Sequence, residues 1–178
     1  MSEYGYIPEA PEQSFGNNKG IFTPKDIYDL TRADKYTNYG QLELIETKTV
    51  SSASVLDFTS IQESTYNVHF LTVTNVDVGT DNAQLFIRFS SDSGSSFVSS
   101  GYQFAYQFGT AGGTFSESRT TSIGYLTFNT QIGNATNEVG NGYSYFYNLG
   151  DNTKYSFQTA QTLHMSNASV QGFSFGSG

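Results

Sequence analysis

QLFIRFSSDSGSSFVSSGYQFAYQF, residues 84–108, decides the fold. In its first half Leu85, Ile87 and Phe89 alternate with Gln84, Phe86 and Arg88. In its second half Tyr102, Phe104, Tyr106 and Phe108 alternate with Gln103, Ala105 and Gln107. A side-chain period of two belongs to a β-strand with one face buried. The intervening residues 90–101 are dense in Ser, Asp and Gly, which favour turns over a continued ladder. The stretch therefore predicts a long hairpin, or two adjacent strands, whose aromatic face floors a β-sandwich core.

Working outward, the rest of the chain keeps this character. Charged residues make up 13% and aromatics 16% of the 178 residues, so solubility rests on Ser, Thr, Asn, Gln and Gly. Tyr, Phe and Thr suit pleated surfaces, and the length suits one domain with a core plus an arm. The formal net charge of −8 argues against nucleic acid, because phosphate binding draws on clustered Lys and Arg. After Lys48 the only basic residues are Arg88, Arg119 and Lys154. Cysteine is absent, which excludes disulfides, thiolate zinc sites and Cys nucleophiles. No apolar run approaches the ~18 residues of a membrane-spanning helix. The acidic start, MSEYGYIPEAPEQ, lacks the basic and apolar regions of a signal peptide. Assembly in the cytoplasm of the producing cell is the expectation.

In chain order, all three prolines (Pro8, Pro11, Pro24) precede residue 25. The first twenty residues show no periodicity and cannot bury enough apolar surface to fold alone. Tyr4, Tyr6, Phe15, Ile21 and Phe22 nonetheless punctuate this region. They point to an extended arm that docks on a neighbour, against the alternative of a floppy tail. TPKDIYDL (residues 23–30) predicts a short helix over about 24–31. Thr23 is its N-cap, Pro24 stands at the first position and Asp26 gives a short capping box. Ile27 and Leu30 share a face, and with Tyr28 they join the arm residues as the anchoring set. Residues 1–40 are thus read as arm and connector, and 41–178 as the β domain.

Within that domain the pattern predicts strands at 41–50 (QLELIETKTV) and 55–61 (VLDFTSI). A central strand is expected at 66–76, apolar on both faces, and a flexible loop at 109–118. A bulged strand is expected at 123–132, where the apolar parity switches, and another strand at 143–149. Short strands are expected at 155–157 and 163–165, and a last one at 168–175. Eight or nine short strands with regular turns indicate an all-β, jelly-roll-like antiparallel β-sandwich. The chain closes on Phe-Gly-Ser-Gly, which suggests either an edge left open for a partner chain or a fragment.

Two segments carry a family resemblance. Residues 17–30, with the motif G-I-F-T-P-K-D-I-Y-D-L, resemble an N-terminal motif of virion structural proteins of tailed bacteriophages. V-L-D-F-T-S-I (55–61) followed by L-F-I-R-F-S-S-D-S-G (85–94) resembles the start of the β domain that follows it. The likeness spans about half the chain, and the family's apolar-Tyr-Gly ending is not matched. Its motifs are structural, so the resemblance implies a scaffold or adhesion role: a tail-fibre, appendage or head-associated protein with a trimeric, jelly-roll-like domain.

Chemistry-bearing constellations are sparse. His69 and His164 fit no zinc spacing, and no G-x-S-x-G elbow accompanies the serines. The acidic turns at 77–82 and 92–94 match no EF-hand and are read as turns before calcium sites. Neither a metal nor a cofactor is expected. Asp57, Glu63, Glu117 and Glu138 show no pairing that asks for glycoside hydrolysis. Tyr143, Tyr145 and Tyr147 form one stripe, and Tyr102 and Tyr106 belong to another. A Tyr stripe reads as core, as an oligomer interface that keeps its hydroxyls wet, or as a carbohydrate platform. The expectation is a non-enzymatic protein of a tailed-phage virion. Its arm docks on another virion protein (tail, portal-adaptor or capsid) and its β body projects outward as a homotrimer, without membrane insertion. A capsid-decorating protein, a tip that binds a host surface glycan and a polysaccharide depolymerase are the alternatives.

Overall fold

The computed structural model describes residues 23–33 and 42–178, together with the backbone of residues 13–14 and 17–18. The chain divides into two compact units, Met1–Leu44 and Ile45–Gly178.

In the first unit, β1 (Gln13–Ser14) pairs antiparallel with β2 (Asn17–Asn18). Helix α1 (Pro24–Arg32) forms where its cap places it. The Thr23 N–H donates to Asp26 Oδ2 (2.8 Å) and the Asp26 N–H returns to Thr23 Oγ1 (3.2 Å), a reciprocal capping box. None of its residues is buried.

The second unit is an all-β, antiparallel, sandwich-like body. Its strands are β3 (Val68–Val76), β4 (Ala83–Ile87), β5 (Tyr102–Thr110), β6 (Phe115–Ile123), β7 (Leu126–Ile132), β8 (Gly140–Tyr147), β9 (Phe157–Met165) and β10 (Gln171–Ser177). Six form one sheet in the order β3-β8-β9-β10-β5-β6, and β4-β7 form the second layer. Strand β7 lies over β9 and β8 and touches β5. The core follows from that crossing: Leu126, Phe128 and Ile132 of β7 and Phe146 of β8 are its buried hydrophobics among the described residues.

Much of the space under β7 is lined by small or polar groups. Ser144, Gln158, Thr162, His164 and Ser174 are buried on the large sheet, opposite Asn129 and Thr130. Buried polar atoms need partners. Thr162 and Ser174 share a hydroxyl hydrogen bond (2.5 Å), Ser144 Oγ donates to the Thr159 carbonyl (3.0 Å), and Asn129 Nδ2 donates to the Leu163 carbonyl (3.2 Å). Close approach depends on Gly140, where an added Cβ would lie 2.7 Å from Ile132 Cδ1.

Several expectations are corrected. Strands β4 and β5 are not a hairpin: β4 pairs β7, whereas β5 pairs β10 and β6. The serine-rich link between them closes on Asp92, which accepts from the Ser90 hydroxyl (2.6 Å) and from the Ser96 amide (2.8 Å). So bonded, a loop can carry the chain from one layer to the other. Residues 42–50 and 55–61 form no strand. Side chains hold them instead: Lys48 bonds the Asp57 carbonyl, pairs with Glu46 (3.1 Å) and lies 5.2 Å from the centre of the Phe58 ring. Strand β3 is an edge strand, with Val68 and Phe70 exposed, so its two apolar faces do not mark a central position.

The loop expected at 109–118 holds the end of β5 and the start of β6 around a turn closed by Gly113 N–H to Thr110 O (2.9 Å). Parity switches near residue 124 because β6 and β7 belong to different sheets, with Gln131 (φ 58°) adding an irregularity. The short strands expected at 155–157 and 163–165 give way to one strand, β9, which takes in Phe157 and residues 163–165 but not Tyr155 or Ser156. The last strand, β10, is not an open edge; it is paired on both sides, with β9 and β5.

Candidate functional site

Registers across the large sheet show what its outer face presents. One row reads Thr72, Tyr143, Gln161, Phe175, Gln107, Glu117, and the next reads Phe70, Tyr145, Thr159, Ser177, Ala105, Arg119. A third runs Asn141, Leu163, Phe173, Gly109, Phe115, and Val68, Tyr147 and Phe157 fill one corner. Among the described residues of the second unit, no strand covers this face. Phe115 keeps 75% of its surface exposed, Phe157 55%, Leu163 50% and Phe175 47%.

The rings are organised rather than scattered. Phe70 stacks on Tyr145 (centroids 4.6 Å) and meets Tyr143 (5.8 Å), while Tyr143 and Tyr145 meet edge to face (6.2 Å). The Tyr143 hydroxyl donates to Gln161 Oε1 (2.6 Å), so its polar end is satisfied beside an apolar surface. Farther along, Phe115 and Phe173 meet at 6.3 Å over Gly109. A Cβ at Gly109 would fall 2.8 Å from both rings, so only glycine lets them close over the strand. Phe115, Phe173 and Phe175, with Gln107 and Glu117, line an open groove of about 350 Å³. By contrast, the cavity between the layers, lined in part by Phe104, Tyr106, Phe128 and Gln158, holds about 20 Å³, room for about one water.

The structure places Tyr143, Tyr145 and Tyr147 on this outer face, and Tyr102 and Tyr106 on the inner one, half-buried. Ile27, Tyr28 and Leu30 lie on α1, with Ile27 and Tyr28 exposed. Tyr4, Tyr6, Phe15, Ile21 and Phe22 lie outside the described residues. Sequence reasoning missed Val68, Phe70, Phe115, Phe157, Leu163, Phe173 and Phe175 as a surface. The alternation of Phe173 and Phe175 around Ser174 was the available signal, because only small residues fit the inner position.

Other chemistry has a local explanation. Hydrogen bonds from Ser90, then Ser96, hold the exposed Asp92 carboxyl at about 2, so this acid is engaged in its own turn. His69 Nε2 lies 2.8 Å from the Ile61 carbonyl. His164 is buried with no hydrogen-bond partner on either ring nitrogen, and burial lowers its pKa. Among the described residues no three His, Cys, Asp or Glu side chains come together as a metal would require, and no helix is long and apolar enough to cross a membrane. No protein-family model, no curated protein and no solved structure matches this chain.

Proposed function

We propose that this chain is a non-enzymatic structural protein of a tailed-phage virion, a tail-fibre or appendage component. Its β body assembles as a homotrimer and projects outward, and its N-terminal arm docks on another virion protein of the tail, portal-adaptor or capsid. One observation carries the assembly reading: the outer face of the large sheet exposes two groups of apolar side chains, one around Phe70 and Tyr145 and one around Phe115, Phe173 and Phe175. The subunit's own buried hydrophobic set is small by comparison. Contiguous exposed apolar surface of this kind marks an interaction site. The virion assignment is supported by the resemblance of residues 17–30, 55–61 and 85–94.

Sedimentation of the full chain tests the first part, with a species of three chain masses expected and a monomer at every concentration refuting it. Labelling the protein on purified particles tests the second. Label at the tail is expected, label over the head would favour the capsid-decorating alternative, and no label would refute a virion role. Deletion of residues 1–30 is expected to leave a folded body that no longer joins particles.

The groove beside Phe115 favours a second reading, contact with a host surface glycan, since sugar rings stack on aromatic faces and Gln107 and Glu117 can bond hydroxyls. Glu117 is the one carboxylate in that lining, whereas glycoside hydrolysis takes a facing pair, so the groove supports binding over cleavage.

A further inference from the structure

Residues 42–50, LELIETKTV, have the alternation of a strand yet belong to no sheet. Leu42 and Leu44 are 74% and 79% exposed, and Val50 is exposed with them. Strand β6, FSESRTTSI, is an edge with the opposite deficit: among the described residues it pairs β5 on one side and no strand on the other. Both segments are nine residues long. An unpaired edge is a template for an added strand.

The two sequences also match in charge, in one register. Set antiparallel so that Glu46 faces Arg119, Lys48 faces Glu117. The same register places Val50 against Phe115 and Leu44 against Thr121 on the outer face, up to the bulge that pairs Ile123 with the inner Tyr102. Thr47 and Thr49 then face Ser118 and Ser116 on the other. Opposite charges and Thr–Ser pairs are favourable cross-strand neighbours, and like charges are not. A slip of two residues one way puts Glu46 against Glu117, and the other way puts Lys48 against Arg119. Parallel alignment satisfies at most one of the two ion pairs. Among the described residues of one subunit the ion pairs of these four charges are same-segment ones, Glu46 with Lys48 (3.1 Å) and Glu117 with Arg119 (3.7 Å), and Lys48 also bonds the Asp57 carbonyl.

We infer that residues 42–50 of one subunit add as a seventh strand to the β6 edge of the next, antiparallel, with Glu46 opposite Arg119 and Lys48 opposite Glu117. This inference rests on the assembly reading above and specifies its contact. The exchange is heterologous, one surface giving and a different one receiving, and such a contact closes into a ring when its rotation permits, as in a trimer. It removes the exposed edge and sets Leu44 and Val50 beside the exposed aromatic rows of the outer face. The strand expected from the sequence at residues 41–50 is then, over 42–50, a strand of the assembly rather than of the subunit.

Charge exchange and cross-linking test it on the full chain. Arg119→Glu is expected to weaken association about tenfold, by losing one attraction and gaining one repulsion. Adding Glu46→Lys to that variant is expected to restore it. The chain has no cysteine, so Thr47→Cys with Ser118→Cys gives a clean background. Oxidation is expected to yield covalent dimers and trimers that reducing agent dissolves. If the chain assembles but the charge swap rescues nothing and no linked species form, strand exchange is overturned and the assembly reading stands. A disulfide confined to the monomer overturns it too, by showing that the strand adds to its own subunit. If the unaltered chain never associates, both readings fall.

Discussion

Phe115→Ser is the sharpest separation of an assembly surface from a core. Phe115 keeps 75% of its surface exposed. Taking about 200 Å² for a phenylalanine, about 150 Å² of apolar surface remains to be covered. Complete burial in a partner would contribute about 4 kcal/mol at about 25 cal/mol per Å². Burial of half that area gives about 2 kcal/mol, or about thirtyfold in the association constant. The subunit itself should hardly notice, because an exposed ring away from special features changes stability by only about 0.5 kcal/mol. Phe128, 2% exposed on β7, gives the contrast. Phe128→Ala should cost the subunit about 3–5 kcal/mol through lost burial and the cavity left behind. Urea unfolding of dilute protein reads the subunit term and sedimentation velocity reads association. If Phe115→Ser associates as the unaltered chain does, the outer face is not the interface. If it destabilises the subunit as much as Phe128→Ala, the ring belongs to the core and the reasoning fails.

Three further perturbations probe the body. Burial lowers the His164 pKa from its ordinary 6.5, so below that pH the unfolded chain takes up a proton that the native state resists. Stability should therefore fall as pH drops below about 6.5, by at most about 1.4 kcal/mol per pH unit, and His164→Leu should remove that acid dependence in urea titrations at pH 7.5 and 5.5. The Glu138 carboxylate, 5% exposed, accepts from the Ala135 N–H and the Ser169 hydroxyl, both at 3.1 Å. Glu138→Ala should cost about 2–4 kcal/mol by stranding both donors, and an unchanged melting temperature would contradict that role. At Gly176 an added Cβ would lie 2.4 Å from Tyr106 Cβ and 2.6 Å from the Ala105 carbonyl oxygen, much of it backbone that cannot swing away. Gly176→Ala should cost about 3 kcal/mol, whereas Gly79→Ala, with nothing within 4 Å, should lie within about 0.5 kcal/mol of neutral.

The sequence made the all-β class, the capped helix and strands β3 and β8 legible, because side-chain alternation and cap chemistry are local properties. Pairing was not legible. The serine-rich residues 90–101 look like a hairpin turn, but nothing local distinguishes a turn from a crossing between layers. Strand β6 passed for loop because Ser116, Glu117, Ser118 and Arg119 suit an edge whose faces are left uncovered, and such a strand has no apolar alternation to display. The core was legible only in part. Part of its lining falls on Gly140, Ser144, Thr162 and Ser174, small residues whose value is the room they leave for β7. The outer aromatic surface was half seen, through the Tyr143–Tyr145–Tyr147 stripe. Whether a stripe faces inward or outward depends on which side the second layer covers, and periodicity carries no sign for that.

The place of β10 between β9 and β5 has a consequence for biogenesis. As the chain leaves the ribosome, β5–β6 and β8–β9 can each close as hairpins, and β7 touches both, but no strand of the large sheet joins them until residues 171–177 have been translated. The large sheet is then two halves not yet paired to one another, awaiting a keystone, and the pairing that unites them links Gly109 to Phe173, far apart along the chain. Such a sheet completes late and slowly, and a nascent chain stalled before residue 171 would present β9 and β5 as two bare edges to whatever protein is nearby.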